Sequence, residues 1–203
     1  MKKTVFFGGT FNPPHNAHLL MLKSVAELDF VDKVLVVPTN IPPHKSIEGY
    51  CADGVHRLNM CSAMCEGMDK AVVSDIELKR EGKSYSFDTL TELRKTYDNL
   101  MLLIGGDMLA EFTTWYNYEG ILKLAGILAV RRIGVDNEEF DSAVSSLRKM
   151  GGTVIVLDTK VPDISSTEIR NEALLNGEEL KGLVPKKVFN YIKENGLYPS
   201  ETK

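Results

Sequence analysis

The stretch Phe6–Leu20, FFGGTFNPPHNAHLL, decides how the rest of the chain is read. An apolar, strand-like run ends at Phe7. Two glycines and two prolines follow, and then a helical segment begins. The chain has only four histidines, and two of them, His15 and His18, stand here three residues apart. Gly8 and Gly9 leave bare backbone that a ligand can approach closely. Thr10 and Phe11 turn the chain toward the helix. His15 is expected just before that helix and His18 in its first turn, where free amides and the helix dipole favour an anion.

Outward from this loop the chain alternates. Strands are expected at Lys3–Phe7, Asp32–Pro38, Ala71–Leu78, Leu100–Gly105, Gly126–Arg132 and Gly152–Leu157. Helices are expected at Asn16–Leu28, from an Asp53 cap to about Glu66, at Ser86–Tyr97, at Asn137–Met150 and at Pro185–Glu194, with short pieces around Trp115 and Tyr118–Ala125. Ser165 and Glu168 are spaced as a capping box, with Gly177 as a stop. Near-continuous apolar strands alternating with helices imply a parallel sheet covered on both faces. The expectation is one α/β domain over residues 1–203, a Rossmann-like doubly wound sheet of about six strands, with the C-terminal helices packed on it. Ligands of such sheets bind beyond the carboxyl ends of the strands, so the loops after strands one, two, four and six should hold the chemistry.

Composition narrows the partners. With 43% hydrophobic and 26% charged residues the chain reads as globular. A formal charge of -4 gives no global basic field for nucleic acid. No apolar run approaches the ~18 residues of a membrane helix. Met1 is followed at once by KKTVFF and the glycine loop, with no room for an export signal, so a cytoplasmic setting is expected. The odd count of three cysteines, Cys51, Cys61 and Cys65, fits reduced thiols there. Cys61 and Cys65 read as small buried apolar residues rather than metal ligands.

The first loop is not G-x-G-x-x-G, and the second strand ends VVPTN without an acid for a ribose hydroxyl, which argues against hydride transfer. No Gly-Lys-Ser/Thr follows, so it is no Walker loop. Two imidazoles at a helix start suit phosphate oxygens gaining charge. A His-x-x-His pair also fits a metal site, though no third ligand is evident. At the other end ISSTEIR opens a capped helix directly after the sixth strand. Ser165, Ser166 and Thr167 form a second anion cradle, and Arg170 returns to the same face to clamp phosphate. Two such sites at one sheet edge suggest a triphosphate between them.

GGTFNPPHNAH resembles the G-T-F-D-P-x-H-x-G-H signature of the nucleotidyltransferase superfamily, and SSTEIR resembles its second signature. Asn12 stands where Asp is usual, and Ala17 where Gly is usual. PTNIPPHK, KSYSFDTL and IGGDMLAEFTTWY resemble bacterial nicotinate mononucleotide adenylyltransferases, so the likeness spans nearly the whole chain. The resemblance implies ATP and nicotinate mononucleotide as substrates, Mg²⁺ carried with ATP and no dedicated metal cage. It implies catalytic roles for His15, His18, Lys45 and Arg170. ATP contacts are implied for Gly8, Gly9, Thr10, Phe11, Gly106, Asp107, Arg131, Ser165, Ser166 and Thr167, with Arg132 beside Arg131. Ser84, Tyr85 and Ser86, at a helix start, would take the nicotinate carboxylate, and Trp115 would stack on the ring. Ser86 stands where Thr is usual, which keeps the hydroxyl. Other acceptors, nicotinamide mononucleotide or phosphopantetheine, and a nucleotide-binding module without catalysis are the competing readings. Oligomeric state is not legible.

Overall fold

The computed structural model describes residues 2–43, 51–132, 138–159, 161–173 and 179–199. Strands β1 (Lys3–Gly9), β2 (Val31–Pro38), β3 (Ala71–Val73), β4 (Leu100–Gly105), β5 (Ala125–Arg132) and β6 (Val154–Thr159) form one sheet. Its order is β3-β2-β1-β4-β5-β6 and every neighbouring pair is parallel. Successive side chains leave a strand on opposite faces, so an unbroken apolar run feeds two cores at once. Val5, Phe7, Val34 and Val36 enter one core, whereas Phe6, Leu35 and Val37 enter the other.

Helices α1 (Asn16–Ala26), α2 (Gly54–Cys65), α7 (Ser166–Ala173) and α8 (Lys186–Glu194) cover the first face. Helices α3 (Ser86–Leu93), α4 (Gly106–Ala110), α5 (Tyr118–Leu124) and α6 (Glu138–Lys149) cover the second. Leu22 and Ile127 are fully buried, one in each core, and truncating either to alanine would cost roughly 2–5 kcal/mol. The chain order reverses between β1 and β4, so the loops after these strands diverge and leave a crevice at their carboxyl ends.

Some elements stop earlier than expected. β3 has three residues, not the eight of Ala71–Leu78. It is an edge strand whose last rung is Ser74 N–H to Val36 O at 3.0 Å. Beyond that, the chain turns inward and buries Glu77. Helix α3 ends at Leu93 rather than Tyr97, because the amides of Lys95 and Thr96 bond three residues back, to Glu92 O and Leu93 O, and tighten the last turn. Asp53 precedes α2 as expected, yet its side chain makes no capping hydrogen bond. Cys61 and Cys65 are buried in the first core, where burial pushes the Cys65 thiol up to about 12. Gly177 and Asn137 lie outside the described residues. Among the described residues no helix is long and apolar enough to cross a membrane.

Candidate active site

At the crevice, a cleft of about 390 Å³ is lined by the β1 loop, both sides of the switch point, and the start of α7. Gly8, Gly9, Thr10 and Phe11 form its floor. A Cβ on Gly8 would sit 2.7 Å from the Phe6 ring, and one on Gly9 3.1 Å from the Phe11 ring. The glycines are therefore demanded by aromatic packing beneath the loop as well as by ligand approach. Phe11 adopts φ +49° and is 1% exposed, a bulky residue held in the left-handed region by its burial.

His15 is the N-cap of α1, and its backbone N–H donates to His18 Nδ1 at 3.2 Å. In the neutral His18 ring this leaves the proton on Nε2, the remaining donor. The two rings stack at 3.7 Å with 26° between planes, and Phe11 meets His18 edge-on at 4.9 Å. Burial, and then the neighbouring His15, hold the His18 pKa well below its ordinary value. The ring is neutral at pH 7 and gains most from an anion that replaces lost solvation. Stacked imidazoles do not converge on a shared ion. Among the described residues no three His, Cys, Asp or Glu side chains gather as a metal cage.

The second cradle is joined directly to the first. Ser165 N–H donates to Glu168 Oε2 at 2.9 Å, and Glu168 N–H to Ser165 Oγ at 3.1 Å, the expected capping box. Ser166 Oγ donates to Pro13 O at 2.9 Å. Arg170 Nη1 donates to Asn12 O at 3.0 Å, and its Nη2 to Thr167 Oγ1 at 3.2 Å. Ser165, Ser166, Thr167 and Arg170 all line the cleft with His15 and His18. Asn12 is 1% exposed, and its Oδ1 accepts from Ala52 N–H at 3.1 Å and Tyr198 O–H at 2.8 Å. An amide fills this position without burying a charge. Ala17 is buried at the helix start.

Across the cleft stand Gly106, Asp107, Ser84, Tyr85, Ser86 and Trp115. The amides of Ser86 and Phe87 open α3 with no acceptor among the described residues, since Asp88 and Thr89 take Tyr85 O. Ser84 Oγ accepts from Asn40 N–H at 3.1 Å, so this hydroxyl also braces the β2 loop. Trp115 is half-buried with Phe112 at 5.3 Å, while Tyr116, exposed at the rim, meets Tyr85 at 4.7 Å.

Arg131 is the expected residue that does not join the others. Its guanidinium pairs with Asp141 at 2.5 Å and Asp158 at 3.2 Å and covers the Phe140 ring, facing a separate groove along α6. Lys45 lies outside the described residues, and so does the Arg132 side chain. Two residues were missed. Arg57 is 3% exposed and donates to Ala52 O, Thr10 O and Thr39 O at 3.0, 2.9 and 2.5 Å, tying the ends of β1 and β2 together. Its sequence signal was an arginine on the apolar stripe of α2, in register with Met60, Cys61 and Met64. Glu77, buried behind Ser84, left no such signal.

A doubly wound sheet with two helix starts facing one cleft defines a nucleotide-handling domain. Residues 6–172 match the family described as cytidylyltransferase-like. A curated relative from Bacillus subtilis, nicotinate-nucleotide adenylyltransferase, is 36% identical over 98% of this chain and 100% of its own. A probable nicotinate-nucleotide adenylyltransferase from Clostridium tetani is also 36% identical over 98% and 100%. A Plasmodium falciparum nicotinic acid mononucleotide adenylyltransferase, solved with NaAD, shares the fold at a TM-score of 0.77 and 20% identity, covering 98% of each chain. The chain belongs to the cytidylyltransferase-like family and, within it, to the nicotinate-nucleotide adenylyltransferases, and is with them a nucleotidyltransferase.

Proposed function

We propose that this chain transfers the adenylyl group of ATP to nicotinate mononucleotide by direct in-line attack. An oxygen of the mononucleotide phosphate bonds to the α-phosphorus. The bond from that phosphorus to the bridging oxygen breaks, and pyrophosphate leaves with the electron pair. No enzyme nucleophile is needed, so catalysis is positioning and charge stabilisation. The observation that carries this reading is the hydrogen-bonded junction of the two helix starts, Ser166 to Pro13 and Arg170 to Asn12, with the imidazole pair beside it.

His18 donates from Nε2 to oxygens gaining charge at the α-phosphate, with His15 stacked behind it. The α7 start and Arg170 receive the departing pyrophosphate, and Lys45 is assigned to the same charge. The buried Arg57 cation adds positive potential beneath the glycine loop. The Ser86 and Phe87 amides take the nicotinate carboxylate, and Trp115 borders the ring. Among the described residues lining the cleft, Asp107 alone offers an exposed carboxylate, which suits a cation that arrives already held by triphosphate. Mg²⁺ so carried neutralises phosphate charge.

The test is pyrophosphate release from ATP and Mg²⁺ with nicotinate mononucleotide, nicotinamide mononucleotide or phosphopantetheine. Strong preference for the first is expected. Preference for another acceptor would remove the carboxylate pocket. No release with any, from protein that binds ATP, would remove catalysis.

A further inference from the structure

Glu77 takes no part in the scheme above. It lies on the turn after β3, is 2% exposed, and lines the same cleft wall as Ser84, Tyr85, Ser86 and Tyr116. A carboxyl buried this deeply needs donors around it. The Thr89 hydroxyl donates to Glu77 Oε1 at 2.7 Å while accepting from Arg80 Nη2 at 2.9 Å. The Ser84 hydroxyl accepts from Asn40 N–H, which leaves its own proton for the carboxyl. Arg80 and the Asn40 amide can only donate, so both relays point toward Glu77.

That polarity is the polarity of an anion. Burial raises the Glu77 pKa, while the Thr89 hydroxyl, the Arg80 charge, and the Ser84 and Thr39 hydroxyls oppose the rise. Among the described residues, Oε2 nevertheless has no hydrogen-bond partner of ordinary geometry. The donor polarity thus favours a carboxylate behind the acceptor wall, incompletely compensated among the described residues.

The acceptor brings a matching charge. N-glycosylation makes the ring of nicotinate mononucleotide a pyridinium cation. The helix amides at Ser86 and Phe87 answer its carboxylate, not its ring. Aromatic faces at Tyr85 and Tyr116 answer the ring only in part. We propose that Glu77 determines specificity for a cationic pyridinium ring, by its charge acting through the low-dielectric wall of the acceptor pocket. The inference rests on the acceptor reading above and extends it to ring charge.

The experiment compares nicotinate mononucleotide with its 1,4-dihydro form, which keeps the carboxylate, ribose and phosphate but has a neutral ring. kcat/KM is measured for both acceptors in the unmodified protein and in Glu77→Gln. The unmodified protein should prefer the pyridinium form. Glu77→Gln should reduce that preference about ten-fold, through KM for the cationic acceptor, with KM for ATP unchanged. An unchanged preference, both acceptors falling together, would make Glu77 merely structural and overturn the inference. Thr89→Val keeps Glu77 but removes a relay donor, and it should shift the preference in the same direction even if Glu77→Gln does not fold. An unmodified protein that uses neither acceptor would overturn the acceptor reading instead.

Discussion

The two helix starts that face the cleft are built from opposite materials. At α1 the cap is His15, 6% exposed, and the donors are two stacked imidazoles above a buried Phe11. At α7 the cap is an exposed serine, closed by a glutamate and flanked by a guanidinium. Donors already shielded from water lose solvation once, on folding, and meet developing charge without reorganising. Exposed hydroxyls and a permanent cation attract an anion from water but are partly screened. This contrast fits the proposed division, with chemistry at the α1 end and pyrophosphate capture at the α7 end.

The assignment is sharpest at His18. His18→Ala should lower turnover by at least ~100-fold while leaving ATP binding measurable by titration. A folded variant with near-normal turnover would break the division between the ends. Arg170→Ala should lower kcat/KM for ATP by about 10- to 100-fold, the range for losing hydrogen bonds to a charged group. A loss in kcat alone, with ATP affinity intact, would move Arg170 to the chemistry side.

Protons separate the two ends further. His18 is held neutral in the folded protein, whereas the unfolded ring titrates near 6.5. Below that pH the unfolded state binds the extra proton, so stability should fall as pH drops below about 6.5. The slope from this group is at most about 1.4 kcal/mol per pH unit. Denaturant titrations from pH 7 to pH 5 should show it, and His18→Asn should flatten it. A slope unchanged in that variant would place the titrating group elsewhere. Least affected should be Ser165→Ala, which removes an exposed cap and should cost about 1 kcal/mol in thermal unfolding. A much larger loss would show that the α7 end is as integral to the fold as the α1 end.

The two helix starts that line the cleft were legible in advance because their parts are local. His15 and His18, or Ser165 and Glu168, lie three apart, and helix geometry brings such pairs together whatever else the chain does. The strands were legible because short unbroken apolar runs, alternating with helical segments, suit a sheet covered on both faces. The ends of β3 and α3 were less so: β3 leaves the sheet after Val73 although its partner β2 runs on to Pro38, a turn that no apolar pattern marks. Arg131 looked like a nucleotide contact from its place at a strand end, yet Asp141 and Asp158 draw it to another groove.

By itself, then, the sequence determined the alternation of elements, the parallel sheet and the two helix starts at His15 and Ser165. All of these follow from periodicity and from hydrogen bonds between residues three or four apart. Only the tertiary structure decided that the cradles touch, through bonds from Ser166 to Pro13 and from Arg170 to Asn12. It alone buried Arg57 under the loops, set Tyr198 against Asn12 and sank Glu77 behind the acceptor wall. Such contacts join residues far apart in the chain. They are set by which surfaces the two cores close over, and no local spacing records that.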